Sequence, residues 1–418
     1  MAGEWKTTKL GNIAIINPDI ITKDWPYTYI QYIDISSVGE GLIQTAPLRL
    51  ELSKAPSRAK RLVRPGDTVL STVRPNRRSM FYVNKPADDW VVSTGFAVLR
   101  PDEQRIHPRF LYCCVFNQAF TDYLITREKG AAYPAVSPED IANVEIPLPS
   151  LTHQRAIACI LGALDDKIEL NRRMNETLEQ IAQAIFKKWF IEPTKNGKLP
   201  EGWREGTLGD IAGLIGGYAF KSKDWIEDGV PVVKIGSVKR GIVDLREVSF
   251  VSIDVAEQAR RFRLDVGDFL ISMTGYVGEV GLVPPTENLP LLNQRVGKFV
   301  LEKPGTSRLG FLYCFTRRPE FKSQVEQKSH GTAQANVSVQ GILSIPIILP
   351  PKRLKEEFDA FCEPILNRIL RIHADIQTLS ALRDTLLPKL ISGELRVPDA
   401  EKICARGASA LGGMERCV

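Results

Sequence analysis

One unit of roughly 200 residues occurs twice in this chain of 418 residues. Matching pairs run through both halves: Leu10-Gly11 and Leu208-Gly209, Gly66-Asp67 and Gly267-Asp268, Phe110-Leu111-Tyr112-Cys113 and Phe311-Leu312-Tyr313-Cys314, Val136-Ser137 and Val337-Ser338, and Leu148-Pro149 and Leu349-Pro350. The first pair lies 198 residues apart and the later pairs lie 201 apart. Because a constant offset over so many matches is hard to obtain by chance, the chain is a tandem duplication.

Each copy has the same plan. Short β-rich runs, bounded by Gly, Pro, Asn and Asp, predict strands at 29–35, 68–73 and 91–99, and again at 230–235, 269–273 and 298–301. A short helix is expected at 108–124 and its copy at 309–324. In each copy a proline-containing segment then ends the β-rich region, and a long helix follows it.

The first long helix has coiled-coil spacing. From Ile157 to Trp189 apolar residues alternate at three and four positions, and Asn171 and Asn175 fall on the same seam. At about 1.5 Å per residue, such a helix is roughly 50 Å long and needs a partner. The asparagines either set the pairing register or face solvent at a local irregularity.

The second copy supplies the partner helix. Its apolar seam runs from Phe358 to Leu386, and Pro364 within it is expected to kink or restart the helix. The sequence therefore predicts an α+β fold with two tandem β-rich domains and two long helices that pair with each other in an intramolecular coiled coil. The predicted boundaries are 1–150 for domain 1, 151–191 for the first helix, 192–202 for a linker, 203–351 for domain 2, 352–395 for the second helix and 396–418 for a disordered tail.

Motifs for catalysis are missing from the sequence. The glycine run at Gly275, Gly278 and Gly281 has no lysine for phosphate, and no Asn/Asp-Pro-Pro-aromatic run or strand-linked G-x-G indicates a methyltransferase. Asp165-Asp166-Lys167 resembles half of a nuclease motif but lies on the predicted helix. The four histidines are isolated. We therefore expect no enzyme activity, no metal and no cofactor.

Composition places weaker limits on function. The net charge of +6 and the pI near 8.8 permit nucleic-acid binding without demonstrating it. The seven cysteines form no C-x-x-C pair, which favours reduced thiols. No run approaches the roughly 18 apolar residues of a membrane span, and the start of the chain lacks a signal core. A cytoplasmic protein without membrane contact is expected.

Basic residues are concentrated in the first copy. Eight lie between Lys54 and Arg78, and Asp67 is the one acidic residue among them. The best candidate to balance this charge is nucleic-acid phosphate; the alternative is a solvated surface. Arginine and asparagine side chains can also contact guanine and adenine through paired hydrogen bonds. The candidate DNA-binding residues at this strand-to-turn segment are Thr72, Arg74, Asn76, Arg77 and Arg78.

The second copy carries other residues at the equivalent place. The residues around the turn, which we call the frame, match at Gly267-Asp268 and at Ser272. The end of the turn, which we call the tip, has a different sequence, Thr274-Gly275-Tyr276. A second loop differs in the same way, with Tyr133 in one copy and Gln334 in the other, although both could be plain turn residues. We therefore add Tyr133, Thr274, Tyr276 and Gln334 to the candidates. A shared frame with different tips predicts two copies that read two different DNA sequences.

Taken together and in order, these motifs resemble a known family, the specificity subunit of type I restriction-modification systems. The resemblance covers about residues 1–395 and depends on the Leu-Gly-x-Ile-Ala openings, Gly66-Asp67 with Ser71-Thr72-Val73-Arg74-Pro75, Ser93-Thr94-Gly95-Phe96-Ala97-Val98-Leu99-Arg100-Pro101, and Ile146-Pro147-Leu148-Pro149 leading through His153-Gln154 into a long helix. Pro364 and the tail beyond Pro398 depart from the family's pattern.

The resemblance implies a non-catalytic reader of double-stranded DNA, in which two tandem β-rich target-recognition domains are separated by two long antiparallel helices. Each domain would read half of a split site, and the helices would bind methyltransferase (modification) subunits, which bring S-adenosylmethionine. The motor and nuclease would belong to a further restriction subunit of the complex. The polar helix faces around 165–167 and 172–176 become candidates for partner contact, and the helix pair would fix the unread gap between half-sites.

Two other readings stay open at the level of sequence. One is a single-chain DNA nuclease or methyltransferase with degenerate motifs. The other is a structural adaptor that combines a coiled coil with two protein-binding domains. Activity of the purified chain alone would favour the first, and a lack of sequence preference for any duplex would favour the second.

Overall fold

The structure is a computed structural model that describes residues 5–130, 134–239, 241–301, 305–329 and 335–397. It divides into two compact units. Unit 1 contains the residues up to Lys167 together with those from Leu379, and unit 2 is Ile168–Thr378. Each unit is described by itself below.

Unit 1 contains three small sheets. Its strands are β1 (Thr7–Lys9), β2 (Ala14–Ile16), β3 (Tyr29–Ile33), β4 (Leu48–Glu51), β5 (Ala59–Leu62), β6 (Thr68–Ser71), β7 (Met80–Tyr82), β8 (Trp90–Ser93), β9 (Phe96–Pro101) and β10 (Glu145–Pro147). The strand orders are β2-β9-β6-β7, β4-β3-β8-β5 and β1-β10. Three short helices lie between β9 and β10 in the chain: α1 (Pro108–Phe116), α2 (Gln118–Ile125) and α3 (Pro138–Ala142).

A long helix, α4 (Leu151–Phe186), connects the two copies and ends in a π-helical turn at Lys187–Ile191. Unit 2 then repeats the plan with strands β11 (Arg204–Thr207), β12 (Gly213–Gly216), β13 (Trp225–Ile226), β14 (Val230–Val233), β15 (Val238–Lys239), β16 (Gly241–Val243), β17 (Ser249–Val251), β18 (Phe269–Ser272), β19 (Val280–Leu282), β20 (Leu291–Leu292), β21 (Val296–Val300) and β22 (Pro346–Leu349). Its helices are α5 (Ile253–Gln258), α6 (Gly310–Thr316), α7 (Pro319–Lys328), α8 (Val339–Leu343) and the long α9 (Lys352–Ser392). The sheets have the orders β12-β21-β18-β19-β16-β15, β13-β17-β14-β20 and β11-β22.

The repeated Gly-Asp pair forms the same turn in both units. Gly66 has φ 89° and Gly267 has φ 86°, a left-handed conformation that favours glycine. The buried Asp67 accepts hydrogen bonds from the Arg64 amide and the Arg100 guanidinium. Asp268 likewise accepts from the Asp265 amide and from Lys298 Nζ. Since a buried carboxylate needs such partners, the turn fixes the strand, β6 or β18, that leads to each predicted tip.

The helix predicted at 108–124 is two helices, and so is its copy. Asn117 separates α1 from α2, because its extended backbone and its side-chain acceptor for the Ala119 amide begin a new helix. In the copy, Pro319 occupies the first turn of α7, where its missing N–H has no cost. The residues of α1 and α6 are largely buried in the core of their units.

The two long helices pair in an antiparallel manner inside unit 2. Asn175 of α4 donates to the Ile369 carbonyl of α9 at 3.3 Å, and Phe186 lies 5.7 Å from the Phe358 ring. The residue number therefore falls along α9 as it rises along α4. Together with the β-rich copies, these helices confirm the predicted fold class.

Asn171 decides between the two readings of the polar seam. It is 2% exposed, so it lies in the interior and does not face solvent. Among the described residues, the Nδ2 group of Asn171 and the Oδ1 atom of Asn175 have no hydrogen-bond partner. Asn171 is buried and Asn175 is half-buried, which fits a register-setting role for this pair in unit 2.

The helix α9 remains helical through Pro364, so it does not restart there, and a kink at this residue stays a prediction. Proline in a helix interior costs about 3 kcal/mol. Its ring lies on the exposed face of α9. On the opposite face Phe358, Cys362 and Leu366 are fully buried in the core of unit 2. Burial of these side chains offsets the missing backbone hydrogen bond.

The C-terminal part of the described chain packs inside unit 1. The Arg396 guanidinium lies 3.6 Å from the centroid of the Trp5 ring, and Val397 is buried. Most of the predicted tail, 398–418, lies outside the described residues. Among the helices that the structure does describe, we find none with the length and apolar character needed to cross a membrane.

Candidate nucleic-acid interface

The tip of unit 1 is the loop 72–79 between β6 and β7. Ser71 Oγ donates to the Val73 carbonyl at 2.8 Å, which turns the chain at the end of β6. Arg74 and Arg78 both have φ 51°, and a short 3₁₀ turn at Pro75–Arg77 separates them. Two non-glycine residues in the left-handed region make this an unusual loop. Such strain clusters at functional sites.

A second loop packs against this tip. The Arg74 amide donates to the Pro134 carbonyl at 2.8 Å, and the Val136 amide donates to the Thr72 carbonyl at 2.9 Å. Val73 and Ala135 form the antiparallel bridge between them. The two loops proposed from sequence as separate candidates are therefore neighbours in unit 1.

Unit 2 contains the same frame. Its tip, 273–279 between β18 and β19, begins with Ser272 Oγ donating to the Thr274 carbonyl. The Gly275 amide donates to the Ala335 carbonyl at 2.9 Å, and the Val337 amide donates to the Met273 carbonyl at 2.9 Å. These donors and acceptors match those of unit 1 at an offset of 201 residues, so the backbone frame is duplicated while the side chains differ.

The predicted residues have unequal exposure. Asn76 and Arg77 are exposed at the tip of unit 1, and Tyr276 is 59% exposed at the tip of unit 2. Thr72 is half-buried, and its hydroxyl donates to the Gly95 carbonyl at 2.9 Å. Arg74 is half-buried as well, and Thr274 is only 8% exposed. Tyr133 and Gln334 lie outside the described residues and remain predictions.

Arg78 is engaged inside unit 1. Its guanidinium donates to Glu40 Oε1 at 2.7 Å, to Gln118 Oε1 at 2.8 Å and to Thr121 Oγ1 at 3.1 Å. A further hydrogen bond of 2.6 Å reaches the Phe116 carbonyl. With 13% of its side chain exposed, Arg78 connects the tip to α1 and α2.

The net positive charge of the stretch from Lys54 to Arg78 is smaller in the structure than the sequence indicates. Acidic residues from outside the stretch pair with four of its eight basic residues: Lys54 with Glu51, Arg58 with Asp34, Arg64 with Asp19 and Arg78 with Glu40. The Arg100 guanidinium beside Asp19 also holds the pKa of that carboxyl below its usual value. In the described part of unit 1, no carboxylate forms an ion pair with Lys60 or Arg77. These two side chains are the most available for a phosphate.

The basic residues of unit 2 are placed differently. Lys234 Nζ lies 3.7 Å above the Trp225 ring, and burial lowers the pKa of Lys234. Lys239 Nζ pairs with Glu247 at 2.7 Å and lies 5.8 Å from the centroid of the Tyr276 ring. An ammonium group and an exposed aromatic ring thus meet at the tip, where unit 1 has Arg77.

The acidic residues Asp165 and Asp166 form ion pairs with buried arginines of unit 1. Arg383 Nη1 donates to Asp165 Oδ1 at 3.1 Å, and Arg109 Nη2 donates to Asp166 Oδ1 at 2.8 Å. Burial raises the pKa of Asp165, and both guanidinium groups oppose that shift. The sequence suggested that Asp165 lies on an outward face for partner contact. The structure instead places it in ion pairs within unit 1. Within the described ranges, no cluster of His, Cys, Asp and Glu is arranged to hold a metal.

Three residues of these sites were not found from sequence. Arg109 is the one basic residue of α1 and Arg383 is one of several on α9, and no local signal links either of them to Asp165. Asn336 bridges to Thr274 at the tip of unit 2. Its one signal was its position directly before the repeated Val337-Ser338.

A family model described as the type I restriction modification DNA specificity domain matches residues 2–180 and again residues 200–377. The chain belongs to this family. It is 24% identical to the type I restriction enzyme HindI specificity subunit of Haemophilus influenzae, over 94% of this chain and 100% of that one. It is 26% identical to the MjaIX specificity subunit of Methanocaldococcus jannaschii, over 80% of this chain and 79% of that one.

A solved structure shares its fold with most of this chain. The S subunit of a type I restriction-modification system from M. genitalium has a TM-score of 0.51 to this chain and 15% identity, with 93% of this chain and 96% of that one covered. At this identity the likeness is one of fold. The two family matches fall on the two copies that the duplication predicted.

Proposed function

We propose that this chain is the DNA-recognition subunit of a type I restriction-modification complex and that each unit reads one half of a two-part DNA site. The observation that carries the proposal is the duplicated loop frame. Both units bring two loops together by the same backbone hydrogen bonds, yet the exposed side chains are Asn76 and Arg77 in one and Tyr276 in the other. A conserved frame with different side chains fits two readers of different sequences.

Catalysis would come from the partners of this chain. The named relatives are specificity subunits, and no arrangement of the described side chains provides a metal site. Methyltransferase (modification) subunits would bind S-adenosylmethionine and methylate the DNA. A restriction subunit would supply the motor and the nuclease. We expect α4 and α9 to bind the modification subunits.

The direct test is to assay the purified chain with and without modification subunits. We expect the chain alone to be inert, and the complex to methylate a split, asymmetric motif. Sequencing of methylated DNA gives that motif. Methylation or cleavage by the chain alone would support the single-chain enzyme, which no feature of the fold favours. A complex without any sequence preference would support the structural adaptor.

The spacer role of the long helices also stays a prediction. Both α4 and α9 contribute residues to each unit. We expect a heptad inserted near Asn171–Leu178 in α4, with a matching heptad in α9, to lengthen the unread gap. The gap is read from the methylated motif. An unchanged gap in a folded, active complex would contradict the role.

A further inference from the structure

The tip of unit 2 contains a polar pair where unit 1 has an apolar one. Thr274 and Asn336 form an antiparallel bridge, and Val73 and Ala135 form its counterpart in unit 1. In an antiparallel bridge the two side chains lie on the same face, next to each other. The Thr274 hydroxyl donates to Asn336 Oδ1 at 3.0 Å. Unit 2 has therefore acquired a side-chain hydrogen bond at a position where the frame does not require one.

The two members of this pair differ in exposure. Thr274 is 8% exposed, so little of its side chain is open to a ligand. Asn336 is exposed. The hydrogen bond uses one lone pair of Oδ1, which leaves the second lone pair and the two Nδ2 hydrogens of Asn336 available. Thr274 thus holds an amide whose remaining donors and acceptor are accessible from solvent.

We propose that Asn336 reads an adenine in the half-site of unit 2 and that Thr274 is a positioning residue for its amide. An amide offers one donor and one acceptor, which match adenine N7 and the adenine N6 amino group in the major groove. Holding the amide in one orientation before binding reduces the entropy lost on contact. This inference rests on the proposed function and adds a residue for specificity within it.

The surroundings of Asn336 fit a contact with a DNA edge. The Gly275 amide bonds to the Ala335 carbonyl, so Asn336 lies at the base of the exposed tip. Tyr276 on that tip is 59% exposed, and Lys239 Nζ lies 5.8 Å from its ring centroid. The exposed ring provides an apolar contact surface on the same tip, and the ammonium group beside it is paired with Glu247.

The duplication provides matched variants. Asn336→Ala and Thr274→Val introduce the residues that unit 1 has at these places, Ala135 and Val73. Both are therefore compatible with the frame. With the modification subunits present, we expect Asn336→Ala to reduce discrimination at one adenine of the unit 2 half-site by about 5-fold to 100-fold, as for other paired amide contacts. The unit 1 half-site should be unchanged.

Variants at Thr274 test its positioning role. Thr274→Val should weaken discrimination at the same base pair, by less than Asn336→Ala does. Thr274→Ser retains the hydroxyl and should restore the wild-type profile. In an Asn336→Ala background, Thr274→Val should have no further effect on base preference, since it acts through the amide.

A second variant at Asn336 changes its hydrogen bonding with little change in shape, so that a loss of base reading can be separated from a loss of folding. Asn336→Asp retains the acceptor for Thr274 and the shape of the side chain, but it loses the Nδ2 donor for adenine N7. It should also lose discrimination at that base pair. Thermal unfolding of every variant separates a reading defect from a folding defect.

The outcomes are distinct. A wild-type base profile in Asn336→Ala and Asn336→Asp overturns the inference, and so does a loss spread evenly over all positions of both half-sites. If Thr274→Val and Thr274→Ser have equal effects, the positioning role fails. Failure of the proposed function looks different: the wild-type complex itself would show no bipartite preference.

Discussion

The two tips share a backbone and differ in almost everything exposed. In each unit a serine at the strand end turns the chain, and the second loop pairs with the tip through an amide from each side. Unit 1 then displays Asn76 and Arg77, whereas unit 2 displays Tyr276 beside Lys239. The difference teaches that the residues which build the frame are separate from the residues which would read DNA. Substitutions can therefore disrupt the frame residues without changing the reading residues, or the reverse.

The largest effect is expected from breaking the frame itself. Asp67→Ala removes the buried partner of Arg100, and Asp268→Ala does the same to Lys298. Each variant removes a buried carboxylate that accepts hydrogen bonds from a backbone amide and from a half-buried cation, although Arg100 keeps Asp19 as a second partner. We expect the free energy of unfolding to fall by about 3 kcal/mol, since hydrogen bonds to charged groups are among the stronger ones. Urea unfolding followed by circular dichroism measures it.

The control for this pair is Glu51→Ala, which breaks the exposed ion pair with Lys54. An exposed pair contributes little to stability, because solvent and salt screen it. If the Asp67 and Asp268 variants cost no more than this control, the buried turn does not hold the frame.

A smaller loss of stability is expected at Arg78. The Arg78→Ala variant leaves Glu40, Gln118 and the Phe116 carbonyl without their donor. We expect the free energy of unfolding to fall by about 2 kcal/mol. The neighbouring Arg77→Ala is the matched control and should leave stability unchanged, because Arg77 is exposed. Equal thermal stability of the two variants would contradict the anchoring role of Arg78.

For base recognition, we expect Arg77→Ala to change the preference at one half-site only. Loss of an arginine contact to a base should relax preference at one position of the unit 1 half-site by about tenfold. Arg74→Ala should act on the same half-site. Preference at the unit 2 half-site should be retained, as measured by methylation of a library of randomised sites. Uniform weakening on all sequences, with a lower salt dependence, would mean that Arg77 contacts phosphate alone.

The smallest effect is expected at Lys60. Because Lys60 is exposed and Lys54 is paired with Glu51, only Lys60→Ala should remove a phosphate contact. The slope of log binding constant against log salt concentration should fall by about 1, with base preference unchanged. Lys54→Ala is the control and should leave the slope unchanged. Equal slopes for the two variants would count against a role for Lys60.

The turns and the helix pairing of the frame could be predicted from the sequence better than the charge pairing on the surface. Gly66-Asp67 and Gly267-Asp268 stand out because a turn with positive φ and a buried carboxylate restricts residue choice. The heptad seam likewise required a helical partner, and the copy supplied it. Such local constraints leave a visible pattern in the chain.

Contacts between distant residues leave no such pattern. The acids that neutralise the basic stretch, Asp19, Asp34 and Glu40, come from earlier loops, so counting charge along the sequence overestimated the patch. Asn336 lies 62 residues from Thr274, and only strand pairing brings the two together. At Pro364 the expected restart of the helix does not occur, because burial on the opposite helix face offsets the local cost of the proline.

The central claim is that one frame serves two independent readers. The most direct measurement is sequencing of DNA methylated by the wild-type complex and by complexes with Arg77→Ala or Tyr276→Ala. The account predicts a split motif in the wild type, relaxation of one half by Arg77→Ala and relaxation of the other half by Tyr276→Ala. An uninterrupted motif, or relaxation of the same half by both variants, would contradict it.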